Sequence, residues 1–318
     1  MSNNTATNKP MILLVDSTTS IYSDIYAMLN ATYNIIIANN NQQIIDSIKN
    51  NKSFNCILIS LDMPNIDCLA LTKYFKTNFE THHIPTIIIA NSIKQNDMIN
   101  AVEAGADDYI QKPFNAIELT TRITMNIRRS ERDQNSNSLT KLPTNILINR
   151  IITERLTDNI SILYLDLDNF KAYNDSYGFI LGNNVIQHTV KILIESIKLH
   201  GNTTDFIGHI GGDDFIIVST HETAEQIAST ICKKFDNTIF QFYSTEHQAT
   251  KKIVTLDRQG NSKEFPLLSL SIAIVSNEYR SLTSLAHIST IAAELKNYAK
   301  TKPHGLYESN YVKDRRNK

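Results

Sequence analysis

Cysteine is scarce and unpatterned. Cys56, Cys68 and Cys232 are the three in 318 residues, and they form neither a CxxC pair nor a Cys/His metal spacing. They read as small core residues, and a reducing cytoplasm is the expected setting. Charge of one sign is also missing. The 31 Lys and Arg nearly balance the 32 Asp and Glu, for a net charge of -1. No global basic field then draws the chain to nucleic acid or anionic lipid, which argues against a DNA-binding effector. Long apolar runs are absent too. Stretches such as Ile84 to Ala90 are too short to span a bilayer, and the Asn-rich opening from Met1 to Pro10 lacks a basic-then-apolar signal segment. No membrane and no nucleic acid are expected as partners.

What is present suits two domains. Apolar residues make up 42% of the chain, enough for two ordinary cores at this length. From Met11 to about Arg129, the strand-like runs Met11–Val15, Tyr33–Ala38, Phe54–Ile59, Thr86–Ala90 and Asp108–Ile110 alternate with helical stretches. Five such repeats predict an α/β, doubly wound five-stranded parallel sheet. After Phe114 the pattern is helical, with Ile117, Ile123 and Ile127 read as one face, and residues 131–138 are polar enough for a linker. Beyond it, Ser161–Leu167 reads as a strand, Asn183–Leu199 as a helix and Phe206–Val218 as a hairpin. Ala224–Phe235 follows as a helix, then a hairpin around Asp257 to Gly260, strand Leu267–Val275 and helix Ser284–Lys300. That mixed order predicts an α+β second domain.

The first half carries, in order, Leu13-Leu14-Val15-Asp16, Met63-Pro64-Asn65-Ile66-Asp67, and Gly105 to Phe114 with Lys112-Pro113. With these three pieces residues 10–130 resemble the CheY-like receiver domain of response regulators. By that resemblance the phosphate acceptor is an aspartate four residues before the proline of the Met-Pro turn, and this chain has Ser60 there. A serine hydroxyl needs a base to become the nucleophile that an ionised aspartate already is, so phosphotransfer to Ser60 is not expected. Asp62 is displaced from that place by two strand positions, roughly 6–7 Å. Ser17 stands for the second acid of the family's metal pair and Ala90 for its phosphate-sensing hydroxyl. Asp16 and Lys112 persist, either as a remnant of that site or as a structural ion pair.

The second half carries, in order, Leu139-Thr140-Lys141-Leu142-Pro143, Asp166-Leu167-Asp168-Asn169-Phe170-Lys171, Asn174-Asp175, Gly182, Gly211-Gly212-Asp213-Asp214-Phe215, Ser271-Ile272-Ala273 and Ala299-Lys300. With these pieces residues 139–312 resemble the GGDEF family of diguanylate cyclases, a nucleotide-cyclase-like α+β domain. Joining two GTP into cyclic di-GMP and two pyrophosphates needs a 3′-hydroxyl to attack an α-phosphorus while divalent metal neutralises the phosphate oxygens. Carboxylates must converge for this. Strand alternation puts Asp166 and Asp168 on one face, opposite Leu163, Leu165 and Leu167, and Asp213 follows two glycines in a hairpin turn. A solvated strand end and a plain tight turn are the bland alternatives. The resemblance implies that Asp166, the Leu167 carbonyl and Asp213 hold Mg2+ or Mn2+, that Lys171 and Lys300 meet the β- and γ-phosphates, and that Asn174 and Asn183 read guanine.

Departures from the family accumulate around those positions. Asn183 replaces an aspartate, and an amide offers one acceptor where a carboxylate accepts both guanine N–H groups; its type also suits a helix N-cap. Asp214 shortens the glutamate of the name motif, Phe179 replaces a histidine, and Pro303-His304 replaces Gly-Arg. Asn202-Thr203-Thr204-Asp205 lacks the arginine of a product-inhibition site, and Phe235 to Pro266 is longer than the family needs. Three classes follow: a cytoplasmic signalling protein with a degenerate domain that binds guanine nucleotide with weak or no turnover; an active, homodimeric cyclase with Asp213 and Asp214 catalytic; and a scaffold for a signalling protein partner that binds no nucleotide.

Overall fold

A computed structural model of the chain describes residues 9–16, 19–50, 54–91, 95–256, 262–301 and 308–316. They fall into two compact units, Met1–Gln134 and Asn135–Lys318. None of the described helices is long and apolar enough to cross a membrane.

The first unit is a five-stranded, wholly parallel sheet. Its strands are β1 (Met11–Val15), β2 (Asn34–Ala38), β3 (Cys56–Ser60), β4 (Thr86–Ala90) and β5 (Asp108–Gln111), in the order β2-β1-β3-β4-β5. Each of β3 and β4 is buried along its whole length. Parallel sheets carry crossover helices on both faces, so their central strands must be apolar on both sides, and the runs Cys56–Ile59 and Ile87–Ala90 are. The helices are α1 (Thr19–Leu29), α2 (Asn41–Asn50), α3 (Cys68–Thr77), α4 (Gln95–Glu103) and α5 (Ala116–Gln134). One core gathers Ile12 and Leu14 of β1 with Leu119, Ile123 and Ile127 of α5; the other gathers Leu13 and Val15 with Cys68 and Phe75 of α3.

Helix α5 corrects two expectations. Ile117 is 79% exposed while Ile123 and Ile127 are buried, and Leu119 completes their face. Six residues turn a helix by about 240° relative to the starting direction, so Ile117 and Ile123 cannot share a stripe. The helix also runs to Gln134, well into the polar stretch read as a linker, with the Gln134 amide donating to Ser130 Oγ one turn back.

The second unit opens with α6 (Asn145–Glu154), β6 (Ser161–Asp168), α7 (Phe170–Tyr177), α8 (Phe179–His200), β7 (Phe206–Gly211), β8 (Asp214–Ser219) and α9 (His221–Thr238). A 3-10 turn over Ile239–Phe242 leads to α10 (Thr245–Thr250), hairpin β9 (Lys252–Leu256) and β10 (Ser262–Pro266), β11 (Ser269–Ser276), α11 (Leu285–Thr301) and β12 (Asn310–Lys313). The hairpin is antiparallel as the sequence implies, its Asp257 to Gly260 turn lying outside the described residues. The main sheet runs β12-β11-β6-β8-β7, antiparallel except for β11 with β12. Helices α8 and α9 cover one face, with Leu163, Leu165 and Leu167 of β6 beneath them; α6 and α11 cover the other, over Ile162 and Tyr164. The pleat therefore delivers Asp166 and Asp168, at the end of the central strand, to the α11 side.

Helix α8 begins at Phe179, four residues before the expected start, capped by Gly178 at φ 82. Asn183 thus sits inside the helix and is no N-cap. Apolar Phe179 and Ile180 are 77% and 80% exposed, which is why the pattern of apolar residues did not mark this first turn.

Candidate functional site

The β7–β8 hairpin aims its tip at the end of β6. Asp166 stands opposite Asp214 on one side and Ser271 of β11 on the other, and the Leu167 amide donates to the Asp213 carbonyl at 3.4 Å. The turn uses positive φ at Gly212 (58°), a conformation that costs side-chain-bearing residues, and a register shift between His209 and Gly211 tilts the tip. As a result one carboxylate oxygen from each of Asp166, Asp213 and Asp214 lies within 4.8 Å of the other two. At an effective dielectric near 20, two like charges that far apart repel by about 3 kcal/mol, so the cluster needs cations.

Two lysines from successive turns of α11 answer that need. Lys296 Nζ is 2.6 Å from Asp214 Oδ1 and 3.2 Å from Asp166 Oδ1; Lys300 Nζ is 2.5 Å from Asp166 Oδ2 and 3.3 Å from Asp168 Oδ1. Asp168 is further engaged, its Oδ2 accepting from Ser271 Oγ at 2.6 Å and Ser269 Oγ at 3.1 Å. Burial pushes the Asp166 carboxyl up, but the Lys300 and Lys296 ammonium groups outweigh it and hold the group below its ordinary value. Asp213 goes the other way. Burial raises it, the charges of Asp166 and Asp214 add to the rise, and it makes no ion pair among the described residues. Lys300 is held above its usual value by Asp166 and Asp168 despite burial. The donor set, three carboxylates with hard oxygens, fits Mg2+ or Mn2+.

His209 supports the hairpin from beneath and was not singled out by its sequence pattern. Its ring stacks on Phe215 with centroids 4.5 Å apart, Nε2 lies 3.0 Å from the Gly212 carbonyl and Nδ1 3.0 Å from Thr140 Oγ1. Burial lowers its pKa, so the neutral ring donates from Nε2 to the carbonyl and accepts from the threonine. Its own amide donates to Pro143, which ties the Leu139–Pro143 segment to β7. An inward strand position just ahead of the glycine pair was the available signal.

The expected base-reading residues lie on α7 and α8. Asn174 Oδ1 is buried and has no hydrogen-bond partner among the described residues, beside Gly182. Asn183 follows Gly182 in the chain and is exposed. Lys171 is exposed on α7 and pairs with none of the clustered acids, unlike Lys300. A cavity of about 400 Å³ opens beside the lysines, lined by Tyr164, Asp214, Ser289, Lys296, Asn297 and Lys300. Pro303-His304 lies outside the described residues.

In the first unit, Ser60 is buried at the end of β3 and Asp16 at the end of β1. Lys112 Nζ is buried without a hydrogen-bond partner and forms no ion pair among the described residues, so the Asp16–Lys112 structural pair does not form. Asp62 is exposed and accepts from the Asn91 amide at 3.2 Å. Ser17 lies outside the described residues.

A parallel βα sheet followed by a five-stranded α+β sheet with acids at a hairpin tip defines a two-unit chain, a doubly wound unit ahead of an α+β unit. The family model described as "Response regulator receiver domain" matches residues 12–124, and that described as "Diguanylate cyclase, GGDEF domain" matches residues 134–293, about half of the chain. This protein belongs to the GGDEF domain family and carries a response regulator receiver domain ahead of it. It is similar to the transcriptional regulatory protein CpxR of Escherichia coli K12, at 32% identity over 131 residues covering 40% of this chain and 54% of CpxR. It is also similar to the response regulator PleD of Caulobacter vibrioides, at 23% identity over 181 residues covering 51% of this chain and 39% of PleD. The chain spans about half the length of the curated relatives it matches. Among solved structures, diguanylate cyclase SiaD of Pseudomonas aeruginosa, in complex with its activator SiaC, aligns at 16% identity over 62% of this chain and 72% of that one, with a TM-score of 0.41.

Proposed function

We propose that the protein is a cyclic di-GMP-class response regulator whose GGDEF domain binds a guanine nucleotide with a divalent cation and turns it over weakly or not at all. The observation that carries this is the convergence of Asp166, Asp213 and Asp214 within 4.8 Å at the hairpin tip. A solvated strand end would leave such acids spread apart, whereas here the fold holds them together against their repulsion. Mg2+ bound by these acids would neutralise phosphate oxygens. Asn174, with its buried oxygen unpartnered, supplies an acceptor for a guanine N–H; an unmet buried acceptor costs about 1–3 kcal/mol, which the nucleotide recovers on binding. Lys300, beside the cavity, and Lys171 on α7 supply cations for the β- and γ-phosphates.

The weakness of turnover rests on the same residues. Asn183 offers one acceptor in place of two, and Asp214 already holds the Lys296 ammonium at 2.6 Å, so it is committed before substrate arrives. A competing reading is an active cyclase, in which two copies face each other and a 3′-hydroxyl attacks the α-phosphorus of the opposite GTP, expelling pyrophosphate; the retention of Asp166, Asp213, Lys171, Lys300 and Asn174 favours it. Purified protein incubated with GTP and Mg2+ decides. Little or no cyclic di-GMP by chromatography, with calorimetric GTP binding that is lost in Asn174→Ala, is the expected result. Brisk turnover abolished in Asp213→Ala establishes the cyclase instead, and no GTP binding at all leaves a scaffold. Cytoplasmic residence, and a signalling protein as partner, go with this reading.

A further inference from the structure

Lys296 sits where no expectation placed a cation. It reaches the acid cluster from one turn before Lys300 on α11 and touches two of the three carboxylates that the proposed metal site would use: Asp214 at 2.6 Å and Asp166 at 3.2 Å. Its side chain is only 20% exposed, so the ammonium is largely withdrawn from water and depends on those acids for its solvation. Lys300 holds the other oxygen of Asp166. Counted as formal charges, Asp166, Asp213 and Asp214 carry three negatives, and Lys296 with Lys300 returns two positives to the same few ångströms. A divalent ion entering between the acids competes with these ammonium groups for Asp166 and for Asp214 Oδ1. It must also stand close to two like charges.

We infer that Lys296 is a resident counter-ion of the acid cluster, an internal ammonium that competes with divalent metal for Asp166 and Asp214 and sets the metal affinity of the site. The inference rests on reading the cluster as a metal site. It assigns to one residue a property of the whole domain: the site is partly neutralised before any metal or nucleotide arrives, and the metal binds by displacing a lysine. The displaced ammonium remains at the wall of the 400 Å³ cavity, where a nucleotide's phosphates would meet it. Metal and phosphate binding are then coupled through Lys296, because the phosphate offers the expelled ammonium a new partner.

The test needs no catalysis. Mn2+ is titrated into the full chain without nucleotide, and free Mn2+ is read by electron paramagnetic resonance, for wild type, Lys296→Met, Lys296→Gln and Lys296→Arg. Removing the ammonium is expected to tighten Mn2+ binding about tenfold or more in the Met and Gln variants, and Arg, which keeps the charge, is expected to remain weak. Thermal melts supply a second reading: with the repulsion unrelieved, Lys296→Met melts lower than wild type in chelator, and saturating Mn2+ raises its midpoint by more than it raises that of wild type. Asp213→Asn in the Lys296→Met background removes the gain. Equal or weaker Mn2+ affinity in folded Lys296→Met and Lys296→Gln overturns the inference. A tightened Mn2+ site in a protein that still binds no GTP sinks the nucleotide reading and leaves the role of Lys296 standing, whereas GTP binding with an unchanged Mn2+ site does the reverse.

Discussion

Gly182 and Asn174 are fitted to one another across the α7–α8 junction: a Cβ built on Gly182 would stand 1.9 Å from the Asn174 side-chain oxygen and 3.3 Å from Phe170 Cζ. The glycine lies within α8, where it costs about 1 kcal/mol relative to alanine. Its presence there buys room for one amide. That room lets the Asn174 oxygen sit buried with no partner among the described residues.

Gly182→Ala should therefore separate stability from binding. The clashing atom is the end of a flexible side chain, so Asn174 can swing aside, and the helix gain offsets much of the strain; we expect urea stability within about 1 kcal/mol of wild type. Guanine nucleotide affinity, measured by calorimetry, should fall about tenfold or more, since the acceptor has moved. Unchanged affinity would remove Asn174 from the binding site.

Ser60 makes a prediction about the receiver domain. Its hydroxyl is buried at the end of β3 with no carboxylate in the acceptor place, and Asp62 points outward to the Asn91 amide. Incubation with radiolabelled acetyl phosphate and Mg2+ should leave no acid-stable, base-labile label on the chain. A label present in wild type and lost in Asp62→Ala would show that Asp62 has taken over the acceptor role.

How much could be read beforehand depended on whether a residue's neighbours were set by its own element or by another. The strands of the first unit were legible because buried parallel strands are apolar on both faces, and Cys56–Ile59 and Thr86–Ala90 are short, isoleucine-rich runs that suit them. The side shared by Asp166 and Asp168 followed from the pleat alone. Lys296 was not legible in the same way: one helical turn before Lys300, it reads as part of a polar face, and only the seating of α11 across β6 and β8 brings it to Asp166 and Asp214. The start of α8 was missed because Phe179 and Ile180 are apolar yet exposed, so no buried stripe announces the first turn. His209 was hidden by its ordinary place in an alternating strand, since its partners Thr140 and Gly212 come from a distant loop and the far side of the turn.

The long stretch after α9 is anchored by tyrosines. Tyr243 is buried, its hydroxyl accepts from the Leu268 amide at 2.8 Å, and its ring meets Tyr173 edge-on at 5.3 Å. Tyr177, stacked on Tyr173, is 2.5 Å from His247 Nδ1 of α10. Since α7 carries Tyr173, Tyr177 and Asn174, the extra segment braces the helix that presents the candidate base reader. Tyr243→Phe leaves the buried Leu268 N–H unmet and should cost about 1–3 kcal/mol by urea denaturation. Amide exchange at Leu268 should accelerate with it; a cost confined to a few tenths of a kcal/mol would mean that the hydroxyl contributes nothing to this anchorage.

Asp314 contributes to the pH dependence of the second unit. It follows β12 and is buried, with its amide donating to Ile274 of β11, Arg316 Nε 2.7 Å from Oδ1 and Arg280 Nε 3.4 Å from Oδ2. Burial alone would push the carboxyl up, but Arg316 and Arg280 prevail and hold it below its ordinary value. A carboxylate depressed in the folded state stabilises fully above its unfolded pKa, about 3.9, and loses that contribution as pH falls through the folded value. Asp314→Asn leaves Arg280, 9% exposed, without its charge partner, and should cost about 3 kcal/mol at neutral pH. The wild type and the variant should converge as both are taken below the ordinary carboxylate range, because the wild-type group is then neutral as well. Urea midpoints measured at both pH values check the sign, and a gap that stays constant with pH would exclude Asp314 as the group whose charge fastens β12 to the sheet.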